Sequence, residues 1–182
     1  MRGQGPVFFG FTFIVWQYFV GTLEERGLRL SLPDAVLLHS GGWKKLEAME
    51  VSPVEFRRRL LAVTGIKNVV NYYGMVEQVG SVYFENPLHF LQASIYSDVI
   101  IRDTNTLKPL PPGNAGLIQV ISALPLSYPG HSLLTEDMGI VQGCDDPATG
   151  MNGQYFQILG RLPKAELRGC SDTFQKTIQQ QT

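Results

Sequence analysis

Apolar segments of strand length alternate with segments of helical periodicity through residues 1–86, and this alternation limits the possible folds more than any other feature. Pro6–Phe11 has the length and aromatic content of a buried strand. From about Thr12 to Arg26 the residues Phe13, Trp16, Val20 and Leu23 recur at helical spacing, Glu24 to Arg26 are polar, and Gly27 can close the C-terminus. Ala35–His39 is a short apolar strand entering the loop Ser40-Gly41-Gly42. Ser52-Pro53-Val54-Glu55 is a helix start, with Ser at the cap, Pro in the first turn and Glu three residues on. Phe56, Leu60 and Val63 then share a face, Arg57, Arg58 and Arg59 mostly point outward, and Gly65 ends the helix. Asn68–Tyr72 is the next strand. Strand–helix–strand–helix–strand of this kind predicts a largely parallel sheet covered by helices.

After Glu85 the pattern changes. Ser97–Arg102, Gly116–Ile121 and Gly139–Gln142 read as short strands separated by turns such as Pro111-Pro112-Gly113-Asn114, the signature of antiparallel structure. The expected class is therefore α/β, a parallel sheet flanked by helices and followed by an antiparallel β region. The expected divisions are 1–86, a β-rich 87–163 and a C-terminal tail 164–182.

At 182 residues, 44% of them hydrophobic, the chain is long enough for one compact core. A net charge of −1 argues against nucleic acid or an anionic membrane as the main partner. Val7 to Val20 is densely apolar but shorter than the about 20 residues a membrane span needs, and it lacks a small-residue cleavage site. Cys144 and Cys170 have no CxxC spacing and are too few for a disulfide framework, so a reducing cytoplasm is expected. His39, His89 and His131 show no metal-ligand spacing and read as structural.

Three short segments carry chemistry. Asn71-Tyr72-Tyr73-Gly74-Met75-Val76-Glu77 ends a strand, at the carboxyl edge where open α/β sheets place their ligands. Leu134-Thr135-Glu136-Asp137 and Leu159-Gly160-Arg161 follow downstream. In this order they look like the adenine, ribose and hinge motifs of acyl-adenylate-forming enzymes. With His39-Ser40-Gly41-Gly42-Trp43-Lys44-Lys45, the run from Tyr128 to Asp137, and Glu166-Leu167-Arg168-Gly169-Cys170-Ser171, the chain resembles the acyl-protein synthetases of LuxE type, over nearly its whole length.

The resemblance gives each motif residue a role. Gly41 and Gly42 border adenine and ribose, Tyr73 followed by Gly74 stacks on adenine, and Asp137 accepts hydrogen bonds from both ribose hydroxyls. Arg161 is the hinge arginine reaching the ribose and phosphates, Glu77 is the Mg2+ ligand, and Cys170 is the acyl-carrying nucleophile, with Lys164 and Arg168 nearby to favour thiolate. Read alone, Gly41-Gly42 is an ordinary turn, Glu77 a solvated acid, Arg161 a surface arginine and Cys170 an inert buried residue. Trp43 could wall the pocket or be core.

The implied reaction has two steps. A carboxylic acid attacks the α-phosphate of ATP, releasing pyrophosphate and leaving an acyl adenylate; a thiol then displaces AMP. ATP/AMP and Mg2+ are the implied cofactors. The implied partners are a carboxylic, fatty, acid substrate and an acyl-acceptor reductase. Two departures stand out. Val76 replaces the threonine of the wider superfamily, and no Ser/Thr/Gly-rich phosphate loop lies upstream of the motifs. The chain therefore reads as the second half of an enzyme, dependent on a missing N-terminal half or a complementing chain against which Val7–Val20 is expected to pack. Alone it is expected to be inactive; the alternative is a non-catalytic nucleotide- or acyl-binding remnant.

Overall fold

The structure is a computed structural model describing residues 5–43, 51–126, 129–146 and 148–162. Its order is β1 (Val7–Phe11), α1 (Thr12–Ile14), a π-helix (Val15–Gly21), α2 (Thr22–Glu25), β2 (Val36–Ser40), α3 (Pro53–Thr64) and β3 (Asn68–Gly74). A 3-10 turn (Val76–Gln78) leads to β4 (Val82–Glu85), β5 (Leu91–Gln92), β6 (Ser97–Arg102), β7 (Ala115–Ser122), β8 (Ser132–Asp146) and β9 (Met151–Arg161). Among the described residues the nine strands form one sheet in the order β1-β2-β3-β4-β5-β9-β8-β7-β6.

β1, β2 and β3 are parallel, and from β3 onward every pairing is antiparallel. The helices follow from the sequence signals. Ser52 Oγ accepts from the Glu55 amide at 3.2 Å, Pro53 occupies the first turn, and Gly65 closes α3 at a φ of 74°. Between β1 and β2, Phe13, Trp16, Val20 and Leu23 are all buried. The middle of that run is wound as a π-helix, which the spacing of apolar residues over two turns does not distinguish from α.

Helical residues Trp16, Val20, Phe56, Leu60 and Val63 pack on Leu37 and Val69. Leu37 and Val69 are register partners, so both helical segments cover the same face of the sheet. Of the three arginines of α3, only Arg58 meets the sequence expectation, pairing with Glu55 on the exposed surface. Arg57 reaches inward to the Val69 carbonyl and to the nearly buried Glu85, which also accepts from the Asn71 amide at 2.9 Å. Arg59 pairs with Glu24 and lies over the Trp16 ring at 4.3 Å. The long arginine stems let α3 use two of its three cations to tie helix to sheet and helix to helix.

A second core fills the inner side of the antiparallel region. Tyr83, Leu91, Val99, Ile101, Ile118 and Phe156 are buried there, with Tyr73 packed at its border. Tyr73 meets Tyr83 at 6.1 Å and Phe156 edge-on at 6.3 Å between ring centroids. β8 runs far beyond the expected Gly139–Gln142, and β9 is a strand the sequence reading did not anticipate.

His39, at the end of β2, is buried against Phe56 and shares a 2.9 Å hydrogen bond with Thr12 Oγ1. Burial, then the nearby Arg57 charge, lowers its pKa from 6.5 to about 4. The unfolded chain therefore binds a proton between those values that the native chain refuses, so stability falls as pH falls. The expected loss is complete below about pH 4, at about 3 kcal/mol from this group. Urea unfolding between pH 7.5 and 4.5 should show that slope, and His39→Gln should flatten it whatever its effect at neutral pH.

Candidate functional site

Because β1, β2 and β3 are parallel, their carboxyl ends share one edge of the sheet. Ser40 pairs in register with Tyr72, which sets Gly41-Gly42 beside Tyr73-Gly74 at that edge. Gly41 has a φ of 81°, a left-handed conformation that a side chain would strain, so the turn out of β2 requires glycine there.

The β8–β9 hairpin supplies the other wall. Asp137 and Arg161 are cross-strand partners in it. Tyr73 Oη donates to Asp137 Oδ2 at 2.7 Å. Arg161 Nε lies 3.5 Å from Asp137 Oδ1, and its Nη2 donates to Glu136 Oε2 at 3.3 Å. Residues far apart in sequence thus converge on one carboxylate. Gly160, just before Arg161, has a φ of 137°, which L side chains rarely adopt; the strand needs glycine to turn Arg161 toward Asp137.

Burial, with the Asp137 carboxylate next, holds the Tyr73 phenol well above its ordinary pKa. Tyr73 is therefore a fixed donor to Asp137. An ionised carboxylate has about four acceptor positions, and Tyr73 and Arg161 do not exhaust them. Asp137, one-fifth exposed at its side chain, can still accept from two further hydroxyls. That is the chemistry a ribose diol needs.

Two polar residues shape the site without belonging to the list of expected ligands. Thr135 is buried on β8; its Oγ1 donates to the Ile118 carbonyl at 2.8 Å and accepts from the Asp137 amide at 3.1 Å. It fixes the backbone at Asp137. Gln78 is also buried, donating to the Gly130 carbonyl at 3.0 Å and accepting from Tyr83 Oη at 3.1 Å. It anchors the turn carrying Glu77 to the segment entering β8. The signal for both lay in the sequence, as polar residues inside otherwise apolar motifs, but only the contacts reveal what they hold.

The remaining candidates fall differently. Glu77 is exposed on the 3-10 turn and is not drawn into the Asp137 cluster. Among the described residues no three His, Cys, Asp or Glu side chains gather to hold a metal ion. Glu77 offers one hard carboxylate, a donor type suited to a magnesium ion that keeps most of its ligands from phosphates and water rather than from a protein cage. Trp43 packs edge-on against Trp16 and Phe56, at the margin of the helical core. Cys144 is exposed. Cys170, with Lys164 and Arg168, lies outside the described residues. No described helix is long and apolar enough to cross a membrane.

Comparisons with known proteins place the chain in a family. The model of the family acyl-protein synthetase, LuxE, matches residues 2–179. A long-chain-fatty-acid–luciferin-component ligase of Vibrio harveyi is 28% identical over 140 residues, 76% of this chain and 36% of that protein. Its counterpart in Aliivibrio fischeri is 25% identical over 179 residues, 96% of this chain and 45% of that protein. The chain therefore spans less than half the length of either relative.

Among solved structures, an open 2-hydroxyisobutyryl-CoA ligase in complex with 2-HIB-AMP and CoA matches with a TM-score of 0.66 at 17% identity, covering 87% of this chain and 34% of that one. A long-chain-fatty-acid-CoA ligase from Archaeoglobus fulgidus matches at 0.61 and 15% identity, over 87% and 34%. ATP-bound MatB from Rhodopseudomonas palustris matches at 0.55 and 19% identity, over 86% and 31%. At such identities these likenesses establish the fold alone, one this chain shares with about a third of each of those structures. With a family match across almost all its residues, the chain belongs to the LuxE acyl-protein synthetase family.

Proposed function

We propose that this chain is the nucleoside-binding portion of an acyl-protein synthetase. It would take part in activating a carboxylic acid, of the long-chain fatty class named for its relatives, as an acyl adenylate, and in passing the acyl group to a protein cysteine thiol. The observation that carries this reading is the convergence of Tyr73 and Arg161 on Asp137, in a chain matched by the family model over residues 2–179.

Each residue has a proposed task. Asp137 accepts the ribose hydroxyls through its remaining lone pairs, and Tyr73 and Arg161 keep the carboxylate oriented. Gly41 and Gly42 leave the neighbouring turn free of side chains, so a flat purine can approach the backbone. Tyr73 presents its ring to adenine in the family pattern, a role it combines with its hydroxyl's hold on Asp137. Arg161 reaches toward the α-phosphate. Glu77 would add a ligand to a phosphate-borne Mg2+, which when bound offsets charge on the phosphates. Cys170 is the proposed acyl carrier and Arg161 assists the adenylate step. The rest of the site, including the phosphate loop, would come from the family's remaining polypeptide, and a cytoplasmic reductase is the proposed acceptor.

Val76 supports a second reading, a non-catalytic nucleotide- or acyl-binding remnant acting through a partner. It is apolar and exposed on the turn where the wider superfamily carries a hydroxyl. The two readings separate at acyl transfer.

Calorimetric titration with AMP should show binding by the wild-type chain, and Asp137→Ala should weaken it by roughly 1.5–3 kcal/mol, the scale of hydrogen bonds to a charged group. Tyr73→Phe should cost less, about 0.5–1.5 kcal/mol, because it removes a neutral donor that orients the carboxylate. Equal affinity in all three proteins removes the pocket assignment.

Acyl transfer is tested in the complemented enzyme with labelled fatty acid and ATP. Label should appear on Cys170 as a thioester that neutral hydroxylamine strips. Cys170→Ala should abolish loading and leave adenylate formation intact, while Cys144→Ala should change neither. Label retained by the Cys170→Ala protein rules out that residue as the carrier, and adenylate binding without turnover favours the remnant reading.

A further inference from the structure

We infer that Glu136 sets the charge selectivity of the nucleoside site: it holds Arg161 in an ion pair at the phosphate end and so disfavours dianionic AMP relative to a singly charged acyl adenylate. The inference deepens the proposed function by naming the residue that tells the two nucleotides apart, and it rests on that reading for the ligand.

Glu136 lies inside the motif Leu134-Thr135-Glu136-Asp137, but the proposed ribose contact leaves it without a task. It precedes Asp137 on β8, with its side chain 56% exposed. Arg161 ends β9 directly across from Asp137. The guanidinium divides between the two acids, with Nη2 3.3 Å from Glu136 Oε2 and Nε 3.5 Å from Asp137 Oδ1. The backbone of Glu136 is held as well, because its carbonyl accepts from the Leu162 amide at 2.9 Å. One cation thus faces two carboxylates, and with both acids ionised the trio is net negative.

The two acids are not equivalent. Asp137 is tied to Tyr73 through its other oxygen and is turned to the ribose in the proposed site. Glu136 is therefore the carboxylate that competes with a phosphate for Arg161. An ion pair this exposed is weak, because water screens it, so Arg161 can turn from Glu136 to a phosphate at small cost. The charge of Glu136 stays behind, close to the same guanidinium and hence to the phosphate. Its repulsion grows with each negative charge that the phosphate carries.

The proposed reaction changes that charge. In acyl transfer the thiolate forms a C–S bond to the acyl carbon, the bond from that carbon to the phosphate oxygen breaks, and its electron pair stays on the oxygen. The adenylate enters with one negative charge on its phosphate. AMP leaves with a second, since a phosphate monoester loses its last proton near about pH 6. An acid beside the arginine therefore retains the intermediate better than the spent nucleotide, and favours release of AMP after transfer.

The test compares adenosine, adenosine 5′-(methyl phosphate) and AMP by calorimetry on the full chain, at pH 8 and low ionic strength. These ligands carry none, one and two negative charges. Relative to adenosine, Glu136→Gln should gain roughly twofold for the methyl ester and roughly fivefold for AMP, the scale of an exposed ion pair. Glu136→Asp, which keeps the charge, should keep the wild-type ratios. So should Glu25→Gln, which removes the same charge from the exposed surface of α2. The gain should shrink in about 0.5 M sodium chloride, where the Debye length is only a few ångströms. A merely structural role for Glu136 would not scale with the charge of the ligand. Ratios unchanged in Glu136→Gln, or raised as much by Glu25→Gln, overturn the inference and leave the nucleoside reading standing. If no protein in the series binds adenosine or AMP, the nucleoside reading fails and the inference falls with it.

Discussion

Strand β3 carries the joint on which the molecule turns. On one side it pairs parallel with β2 beneath the helices, and on the other it pairs antiparallel with β4 at the start of the second core. Tyr73 sits at its carboxyl end and serves both halves at once. Its ring closes the antiparallel core against Tyr83 and Phe156, while its hydroxyl reaches Asp137 on β8. The packing of a core and the aim of the Asp137 carboxylate therefore depend on the same side chain. A phenol held above its ordinary pKa by burial stays a donor across the physiological range, so this hold on Asp137 does not change with moderate shifts in pH.

The Tyr73–Asp137–Arg161 cluster is built on strands rather than on loops. Asp137 and Arg161 face each other across β8 and β9, and Thr135 secures the Asp137 amide two residues upstream. A ligand meeting this edge finds groups already oriented, which lowers the ordering cost of binding.

Much of the first half was legible because its signals are local. The Ser52 cap, Pro53 in the first turn, Gly65 at the end and the Phe56-Leu60-Val63 face each rest on contacts within a turn or two. The run Val7–Val20 was only half readable: Trp16 and Val20 are core, while Val7 and Phe9 face outward, a division that depends on which side of the sheet the helices take. The β8–β9 hairpin resisted reading for a definite reason. Its register shifts at Met138/Gly139, Val141/Gly143 and Cys144/Asp146, and each shift puts the apolar alternation out of phase. The motif residues Tyr73, Asp137 and Arg161 could be placed in order from sequence, but their hydrogen bonds could not. Nor could the inward reach of Arg57 and Arg59, which is set by partners on distant strands.

The proposed nucleoside site depends most directly on Asp137 being poised for a ribose diol. Calorimetry comparing AMP with 2′,3′-dideoxy-AMP isolates that contact from the purine and the phosphate. The wild-type chain should prefer AMP by about tenfold or more, equivalent to about 1.4 kcal/mol, and Asp137→Ala should bind the two nucleotides alike. A wild-type chain that binds both equally, or an Asp137→Ala chain that keeps the preference, would contradict it.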